Sequence, residues 1–366
     1  MRHLCNSLLL FGLALLWVPV ANAQDVVIRR VTDRVMTLSM TNLGMHTNVT
    51  VIETQKGLVV VETELTPYIM KIIKKAAEEK LGRSDWVYVI NTHQHLHHAG
   101  GNSAFPETPI IGHERMSMDW LKITLSTDQG RRGYCGMIGV DTALKQLRRN
   151  LTQATLTPVQ KETLRRRLRF CNEMKQEIMA GFEIRNPTIT FRHRYELDLG
   201  DTHLRLTDWG VGICHSSIFV HVVEDNLLIG MGMGGGRWIP GLNRKASLED
   251  IRRSISVYKG LCDENFPINV MIGIHKPYLN RSRQGLQQSL AYFQTLLDDL
   301  TRAQKDRLSL EQAKAEFSLN KQYAHFCRYF TVPEPERREK QHQETIGTIW
   351  ELLLKEGSSG EKEQNS

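Results

Sequence analysis

The segment Asn91–Gly101 reads NTHQHLHHAGG and places four histidines, His93, His95, His97 and His98, within six positions. It follows the apolar run Trp86–Ile90, which is typical of a buried strand, and it ends in a glycine pair. Imidazole is the commonest protein ligand for zinc, and closely spaced histidines on a strand-to-loop turn can converge on one ion. The segment therefore predicts a metal site at the end of a strand. The alternative is a fortuitous, solvated histidine cluster.

The same segment resembles the HxHxDH signature of the metallo-β-lactamase superfamily. Four further segments resemble parts of the same family pattern. Thr50–Thr63 resembles the paired strands before the motif, and Val211–Ser217 resembles the loop with the next histidine ligand. Asn226–Met231 resembles the strand that ends in Gly-Asp, and Val270–His275 resembles the strand that ends at the last histidine. The resemblance covers most of the chain from Val26 to about Tyr278. It implies an α/β fold, a four-layer αββα sandwich of two mixed sheets flanked by helices, with the metal at the sheet edge.

The resemblance implies a first metal site with three imidazole ligands, His93, His95 and His215. Three histidines and an open position for water form a catalytic zinc arrangement, which can lower the pKa of the bound water to about 7. One zinc site is therefore predicted.

A second site would keep His98 and His275, but the two carboxylates of the family pattern are replaced, one by His97 and the other by Met231. Imidazole is longer than a carboxymethyl group, so its nitrogen cannot take the place of the aspartate oxygen without a backbone adjustment. A site without an anionic ligand would also leave two dications to repel each other. The sequence leaves this second zinc site open.

Two of the histidines, His97 and His98, are predicted to accept or pass a proton during hydrolysis of an ester, thioester, lactone or amide. His46, Tyr278 and Met231 would border the cleft in this fold and are predicted substrate contacts. The alternative function is a non-catalytic, metal-binding periplasmic protein that acts as a carrier, sensor or assembly partner, and the replacement of both carboxylates motivates it. A fold that binds no metal is the third hypothesis.

The first residues have the features of a secretory signal peptide. Arg2 and His3 precede an apolar stretch, Leu8–Val20, and a small-x-small cleavage site, Ala21–Ala23. We therefore expect a periplasmic or secreted protein without a stable membrane span after cleavage; a retained N-terminal anchor is the alternative. The predicted organisation is a signal peptide (1–23), a metallo-β-lactamase-like domain (24–283) with a helical insert (about 114–186), a C-terminal helical extension (284–356) and a disordered tail (357–366).

The chain of 366 residues carries a formal net charge of +7, which becomes +6 (46 basic against 40 acidic residues) when Arg2 leaves with the signal peptide. Much of the excess lies in the predicted insert, at Arg131, Arg132, Lys145, Arg148, Arg149, Lys161, Arg165, Arg166, Arg167 and Arg169. The simplest interpretation is a solvated helical face. The functional one is a cap over the cleft that attracts a small anionic substrate. Export and the lack of interleaved aromatic residues argue against nucleic acid.

Five cysteines remain after the predicted cleavage, so at least one is unpaired within the chain. An oxidising compartment permits disulfides, and the first hypothesis is a bond between Cys135 and Cys171, which flank one helical segment. A bond between Cys262 and Cys327 is a weaker alternative.

Periodicity and end signals predict alternating strands and helices. Helices are expected at Pro67–Leu81, capped by Thr66, at Val140–Ala180 with a break near Thr157 and Pro158, at Ser247–Tyr258 with a capping box, and over most of the chain beyond Ser282. Strands are expected at Val26–Leu38, Thr47–Val61, Asp85–Asn91, Ile110–Ile111, Thr188–Phe191, Tyr195–Leu199, His203–Leu206, Ser217–Val223, Asn226–Ile229 and Ile268–Ile272.

Overall fold

The computed structural model describes residues 26–40, 47–210, 214–230, 239, 242, 246–275, 279–280, 282–330, 332 and 334–364. Over this part of the chain the first sheet has seven strands, which neighbour one another in chain order. They are β1 (Val26–Arg30), β2 (Val35–Met40), β3 (Val49–Thr54), β4 (Gly57–Val61), β5 (Trp86–Ile90), β6 (Ile110–His113) and β7 (Ile189–Phe191). The strands β1 to β4 pair antiparallel, and β4 to β7 pair parallel.

The second sheet has six described strands, and they also neighbour one another in chain order. They are β8 (Arg194–Asp198), β9 (His203–Asp208), β10 (Ile218–Val222), β11 (Leu227–Gly230), β12 (Val270–Gly273) and β13 (Leu279–Asn280). The pairing is antiparallel from β8 to β11, parallel between β11 and β12, and antiparallel between β12 and β13.

Helices fill the connections. They are α1 (Pro67–Leu81), α2 (Leu96–Ala99), α3 (Asp119–Leu125), α4 (Asp128–Met137), α5 (Val140–Leu151), α6 (Pro158–Ala180), α7 (Leu248–Cys262), α8 (Gln284–Lys305), α9 (Leu310–Glu316) and α10 (Pro335–Gln364), with 3-10 turns at Asn102–Ala104 and Ala324–Tyr329. The helices α3 to α6 lie between β6 and β7 and form the helical insertion. The helices α8 to α10 form the C-terminal helical region.

The helix ends follow the local chemistry of the sequence. The Thr66 hydroxyl accepts a hydrogen bond from the Ile69 amide at the start of α1, and Pro67 occupies the first turn, where its missing N–H costs nothing. At the start of α7, Ser247 and Asp250 form a reciprocal capping box. Both helix starts agree with the sequence predictions.

Side-chain alternation along the strands divides the interior into three apolar clusters. In β11, Leu227 and Ile229 face the space between the two sheets, while Leu228 packs against α7 and the C-terminal helices. In β4, Val59 faces the same inter-sheet space, while Val60 packs under α1 and the inserted helices. Because successive strand residues point to opposite faces, two sheets buried on both faces give four layers. The predicted αββα sandwich is confirmed.

The predicted disulfides are wrong. The five cysteines of the described residues are free thiols. Cys135 and Cys171 are both buried within the apolar cluster beneath the insertion, where each packs as a small apolar side chain. Burial raises the pKa of the Cys171 thiol to about 11, which keeps it protonated and unreactive at neutral pH.

At the other end of the chain, α10 continues to Gln364, through most of the segment for which the sequence predicted disorder. The helix is anchored upstream by buried residues such as Ile346, Ile349 and Leu353, and adding residues to an existing helix is easier than starting one. No helix of the described residues combines the length and hydropathy needed to cross a bilayer. The predicted signal peptide lies outside the described residues, and the domain boundaries stay predictions.

Candidate metal centre

The histidine loop that follows β5 owes its position to its glycine pair. A Cβ atom on Gly101 would stand 1.8 Å from the carbonyl oxygen of Thr63, and one on Gly100 would stand 2.2 Å from that of Leu65. Such approaches are open only to glycine. The loop therefore packs directly on the backbone of Glu62–Leu65, the segment that leaves β4.

That segment has an unusual backbone. Glu62 and Glu64 both adopt positive φ angles, 73° and 61°, which non-glycine residues rarely do. Backbone hydrogen bonds hold it against the loop: the Thr63 amide donates to the His98 carbonyl (2.9 Å), and the Gly101 amide donates to the Glu64 carbonyl (3.0 Å). Conformations of this kind persist where the surrounding contacts fix them, and they occur often at functional sites.

A buried polar network fixes the base of the loop. The Asn91 amide group donates to the His98 carbonyl and to Asn102 Oδ1, both at 3.0 Å. Asn102 Nδ2 donates to Asn91 Oδ1 and to the Arg185 carbonyl, both at 2.9 Å, and the Thr63 hydroxyl donates to Asn102 Oδ1 at 2.7 Å. Because Asn91, Asn102 and Thr63 are each at most 1% exposed, the network constrains where the His98 backbone can lie.

The other side of the centre comes from the second sheet. His275 follows β12 and forms a β-bridge with Thr47, while the Asn48 amide donates to the Ile274 carbonyl at 2.9 Å. The Thr47 hydroxyl donates to the His97 carbonyl at 2.9 Å. These bonds join strand ends of the two sheets at the histidine loop. His275 therefore lies next to His97 and His98, which are almost 180 positions earlier in the chain.

Five imidazoles cluster at this junction. The ring centroids of His93 and His95 are 4.6 Å apart, and those of His93 and His98 are 4.2 Å apart. The His97 and His98 rings are separated by 4.1 Å, and the His275 ring lies 4.8 Å from His98 and 5.1 Å from His97. The structure thus brings together five of the six histidines for which a ligand or proton-transfer role is predicted.

Two sets of side chains within the cluster have spacings close to what one ion needs. The ring nitrogens of His97, His98 and His275 lie within 4.8 Å of one another, and so do the ligand atoms of Glu62, His93 and His98. Ligands of a tetrahedral zinc ion lie about 3.4 Å apart, so small side-chain rotations would close either set around a metal. His98 belongs to both sets, because an imidazole has two ring nitrogens.

Some of the candidate ligand atoms also fit a metal because they have no hydrogen-bond partner among the described residues. His93 Nε2 and His98 Nε2 are buried and form no hydrogen bond with the described residues. His98 Nδ1 is in contact with Glu62 Oε2, and Glu62 Oε1 accepts a hydrogen bond from the Thr92 amide at 2.8 Å. Buried nitrogens without partners are costly unless they bind something. The residues present therefore fit a divalent metal.

The electrostatics of the site keep the four imidazoles of the histidine loop neutral. Burial first, and repulsion from neighbouring imidazoles second, lowers the pKa of His95 to about 4 and that of His97 to about 2. The same causes hold the pKa values of His93 and His98 well below the ordinary value. Burial raises the pKa of Glu62 to about 8. A neutral imidazole is the form that binds metal ions.

The sixth predicted ligand, His215, lies half-buried in the turn before β10. The Ile218 amide donates to the Thr92 carbonyl at 2.8 Å and so joins this turn to the histidine loop. Among the described residues, His93, His95 and His215 are not a set whose ligand atoms all lie within 4.8 Å. Their joint role as the first site stays a prediction. His46, Tyr278 and Met231, the predicted substrate contacts, lie outside the described residues.

Residues 43–230 match the family model of the metallo-beta-lactamase superfamily. The chain belongs to this superfamily. Solved structures with a similar fold include a metallo-beta-lactamase from Pontibacter korlensis, at 13% identity and a TM-score of 0.48 over 74% of this chain and 99% of that one. They also include the stereoselective inverting sec-alkylsulfatase Pisa1 from Pseudomonas sp., at 12% identity and a TM-score of 0.54 over 89% of this chain and 50% of that one.

A double mutant of the sec-alkylsulfatase PisA1 gives a similar match, with 12% identity and a TM-score of 0.55 over 90% of this chain and 50% of that one. The chain thus spans about half the length of the alkylsulfatases. A comparison with curated proteins gave no match. At these identities the likeness to solved structures shows the fold alone, and superfamily membership rests on the family match.

Sequence reasoning did not find Glu62 or the Asn91–Asn102–Thr63 network. The signal for Glu62 was present: a carboxylate directly after the buried run Leu58–Val61 is unusual, because a charged side chain there needs a partner. No spacing rule connects Asn102 with Thr63. Their contact follows from the close approach that the glycine pair allows.

The basic insert is partly neutralised within its own helices. Arg131 pairs with Asp128, and Arg169 pairs with Glu162 at 3.0 Å. These exposed pairs contribute little to stability, about 0–1 kcal/mol each. They agree with the solvated-face interpretation. A cap that attracts anionic substrates stays a prediction.

Proposed function

We propose that the protein is an exported, zinc-dependent hydrolase in which metal-activated water attacks an ester, thioester, lactone or amide carbonyl of a small molecule. The proposal rests on one observation above all: five imidazoles from strand ends of the two sheets pack together, and two of their buried ring nitrogens lack hydrogen-bond partners among the described residues. Membership of a superfamily whose members are mostly hydrolases supports the reaction class. The signal-like sequence of residues 1–23 supports export.

The residues of the chain have distinct tasks in this proposal. His93, His95 and His215 would hold the first zinc ion, and His97, His98 and His275 the second. A bound zinc ion supplies Lewis acidity and a water of lowered pKa. Glu62 and the Asn91 amide hold the ring and the backbone of His98, which keeps the ligand set in place before substrate binds.

Of the two residues predicted to transfer a proton, His97 suits that role better than His98. His97 is only half-buried, so it is more accessible to a substrate than His98. His98 is completely buried and is in contact with Glu62, which suits a ligand better than a proton carrier. We therefore assign proton transfer to His97 when it is not bound to metal.

The test is metal analysis and a hydrolysis panel on purified, untagged mature protein. The panel contains a carboxylic ester, a thioester, a lactone and a β-lactam, and a secondary alkyl sulfate is added because two structural neighbours are sec-alkylsulfatases. We expect bound zinc, turnover of at least one substrate, loss of turnover with a chelator and recovery with zinc. The proposal fails if none of the four carbonyl compounds is turned over in a metal-dependent way, and turnover of the alkyl sulfate alone would also contradict it.

Two substitutions separate the metal centre from histidines elsewhere. His93→Ala removes a buried ligand and should lower turnover by at least about 100-fold. His203→Ala is the matched control, because His203 is an exposed histidine of β9 that pairs with Glu224 at 2.6 Å. It should leave turnover unchanged. Equal losses in both variants would contradict the assignment of the site.

The second candidate function is a metal-binding protein without hydrolytic activity, which would act as a periplasmic carrier, sensor or assembly partner. The observation that favours it is the imidazole of His97 where the family pattern has aspartate. His97→Asp distinguishes the two functions. A large gain of hydrolysis would indicate a site that had lost its activity, whereas loss of an existing activity would give His97 a chemical task of its own. Protein that contains no metal of any kind on elemental analysis would exclude both.

A further inference from the structure

The positive charge of the chain is concentrated at one end of the hairpin that α5 and α6 form. Residues 145–169 are the basic tip of this hairpin, and they contain eight basic residues and one acidic residue, a net charge of +7. The whole chain has 47 basic and 40 acidic residues, so the residues outside the tip have 39 of each and are neutral overall. The eight basic residues are Lys145, Arg148, Arg149, Lys161, Arg165, Arg166, Arg167 and Arg169.

The protein core holds the basic tip only at its base. There α5 begins with the buried residues Val140 and Leu144, and α6 buries Phe170 and Ile178 in the apolar cluster under the insertion. Within the tip itself, Thr163 alone is buried. At 1.5 Å per residue, the part of α6 that precedes Phe170 is about 18 Å long. The tip is therefore a surface structure that a large partner can reach.

Nearby acidic side chains neutralise little of this charge. Asp141 pairs with Lys175 at the base of the hairpin, at 2.6 Å, and Glu162 pairs with Arg169 within the tip, at 3.0 Å. Six basic residues of the tip form no ion pair with the described residues: Lys145, Arg148, Arg149, Lys161, Arg165 and Arg167. Like charges held this close together repel one another, and an anionic partner offsets that repulsion.

We propose that the basic tip docks on an anionic phospholipid bilayer and holds the protein at a membrane surface. Beside its charges, the tip presents an apolar side chain to solvent: Val159, in the first turn of α6, is 69% exposed. An interfacial segment of this kind places its apolar side chains at the boundary of the acyl chains and its cations on the lipid phosphates. Both features of the tip thus have a counterpart in the bilayer surface.

A dissolved polyanion such as nucleic acid fits the tip less well. Residues 145–169 contain no aromatic side chain on which a base could stack. A polyanion in water also gives Val159 no apolar contact. The docking is peripheral, since no helix of the described residues has the length and hydropathy to cross a bilayer. It adds a location to the proposed function and does not depend on the metal centre.

The first test is sedimentation of untagged mature protein with lipid vesicles. We expect the protein to bind vesicles of phosphatidylcholine that contain about one third phosphatidylglycerol, and to stay in solution with phosphatidylcholine alone. Raising the salt from about 0.1 M to about 1 M should release it, because the screening length falls from about 10 Å to about 3 Å. Failure to bind the anionic vesicles, or equal binding to the neutral ones, would overturn the proposal.

The second test removes charge from the tip. The variant changes four exposed basic residues to glutamine: Lys145, Arg148, Arg149 and Arg165. Each charge near an anionic surface strengthens binding about fivefold, so we expect the vesicle affinity to fall by at least about 100-fold. The matched control removes the same charge elsewhere, by changing to glutamine Lys71, Lys80, Lys305 and Lys321, which are also exposed. It should bind within about threefold of wild type, since these residues lie outside the tip. Equal losses in the two variants would show that net charge alone decides binding, against a dedicated tip.

The third test distinguishes the bilayer from a dissolved polyanion. Val159→Ser should weaken vesicle binding about threefold or more and leave binding of duplex DNA unchanged, because only the bilayer gives this side chain an apolar contact. Tighter binding to duplex DNA than to anionic vesicles at equal phosphate concentration would overturn the proposal in favour of a nucleic-acid partner. None of these measurements needs turnover, so the hydrolase can fail while the docking holds, and the reverse.

Discussion

Asn102 offers the sharpest test of how the histidine loop is held. Its side chain is 1% exposed and lies among Asn91, Thr63 and the backbone of Arg185. The substitution Asn102→Ala removes this amide and leaves the apolar packing around it nearly unchanged. Because the same network binds the His98 carbonyl, the change should affect both the stability of the fold and the affinity for metal.

The magnitude follows from the bonds that are lost. Asn102 donates two hydrogen bonds of 2.9 Å and accepts two, at 2.7 and 3.0 Å. At about 1 kcal/mol each they amount to about 4 kcal/mol. The Thr63 hydroxyl and the Asn91 amide keep the His98 carbonyl as a second acceptor, which reduces the loss. We expect the free energy of unfolding to fall by about 3 kcal/mol.

Urea unfolding of metal-free protein, followed by circular dichroism, measures this loss. Asn320→Ala is the control: Asn320 is exposed in a turn, and its replacement should change the free energy by less than about 0.5 kcal/mol. Thr63→Val removes a single hydroxyl from the same network and should cost about 1–2 kcal/mol. A loss below about 1 kcal/mol for Asn102→Ala would refute the view that this network holds the loop.

Three further predictions concern other parts of the chain. Gly101→Ala should destabilise the fold by several kcal/mol and weaken zinc binding, because its Cβ would collide with the Thr63 carbonyl. Gly133→Ala is the control: at this exposed helical position no atom of the described residues lies within 4 Å of the added Cβ, so the change should stabilise the fold by up to about 1 kcal/mol in thermal unfolding. Burial lowers the pKa of His342 in the folded protein. As the pH falls below 6.5, this imidazole is therefore protonated in the unfolded chain before it is protonated in the folded protein. The stability that depends on this imidazole is therefore complete above pH 6.5 and decreases below it, by at most about 1.4 kcal/mol per pH unit, and urea unfolding of His342→Gln should lack this part of the pH dependence. A thiol reductant should leave the melting temperature of the protein unchanged, because all described thiols are free; a drop of several degrees would show a disulfide.

At position 97 the chain has a neutral imidazole, whose pKa burial lowers to about 2, where the family pattern has an aspartate. The His97 ring packs 4.1 Å from His98 and 5.1 Å from His275, so it faces the other two histidines of its candidate ligand set. The cluster has a carboxylate contact at another of its histidines, between Glu62 and His98. A negative charge can serve a metal centre from either position, because it acts over several ångströms in a buried environment.

Local patterns in the sequence predicted most elements of this fold and the loop with the histidine motif, although the stretch expected as strand at Val26–Leu38 is two strands, β1 and β2, and α3 and α4 were not predicted individually. The Thr66–Pro67 start of α1, the capping box of α7 and the alternation in β3 and β4 are all properties of neighbouring residues, and the structure has these elements within a few positions of their predicted bounds. The histidine motif likewise lies within one short stretch, and the resemblance it carried gave the four-layer architecture.

Only the tertiary structure decided which donors meet. His98 and His275 are 177 positions apart, and they come together because Thr47 and Asn48 join the edges of two different sheets. Glu62 reaches His98 because Gly100 and Gly101 let two backbone segments touch. Only the folded structure shows that Cys135 and Cys171 are free thiols, both buried in the apolar cluster beneath the inserted helices. Sequence patterns report the preferences of neighbouring residues, whereas contacts of this kind depend on how whole sheets and helices pack.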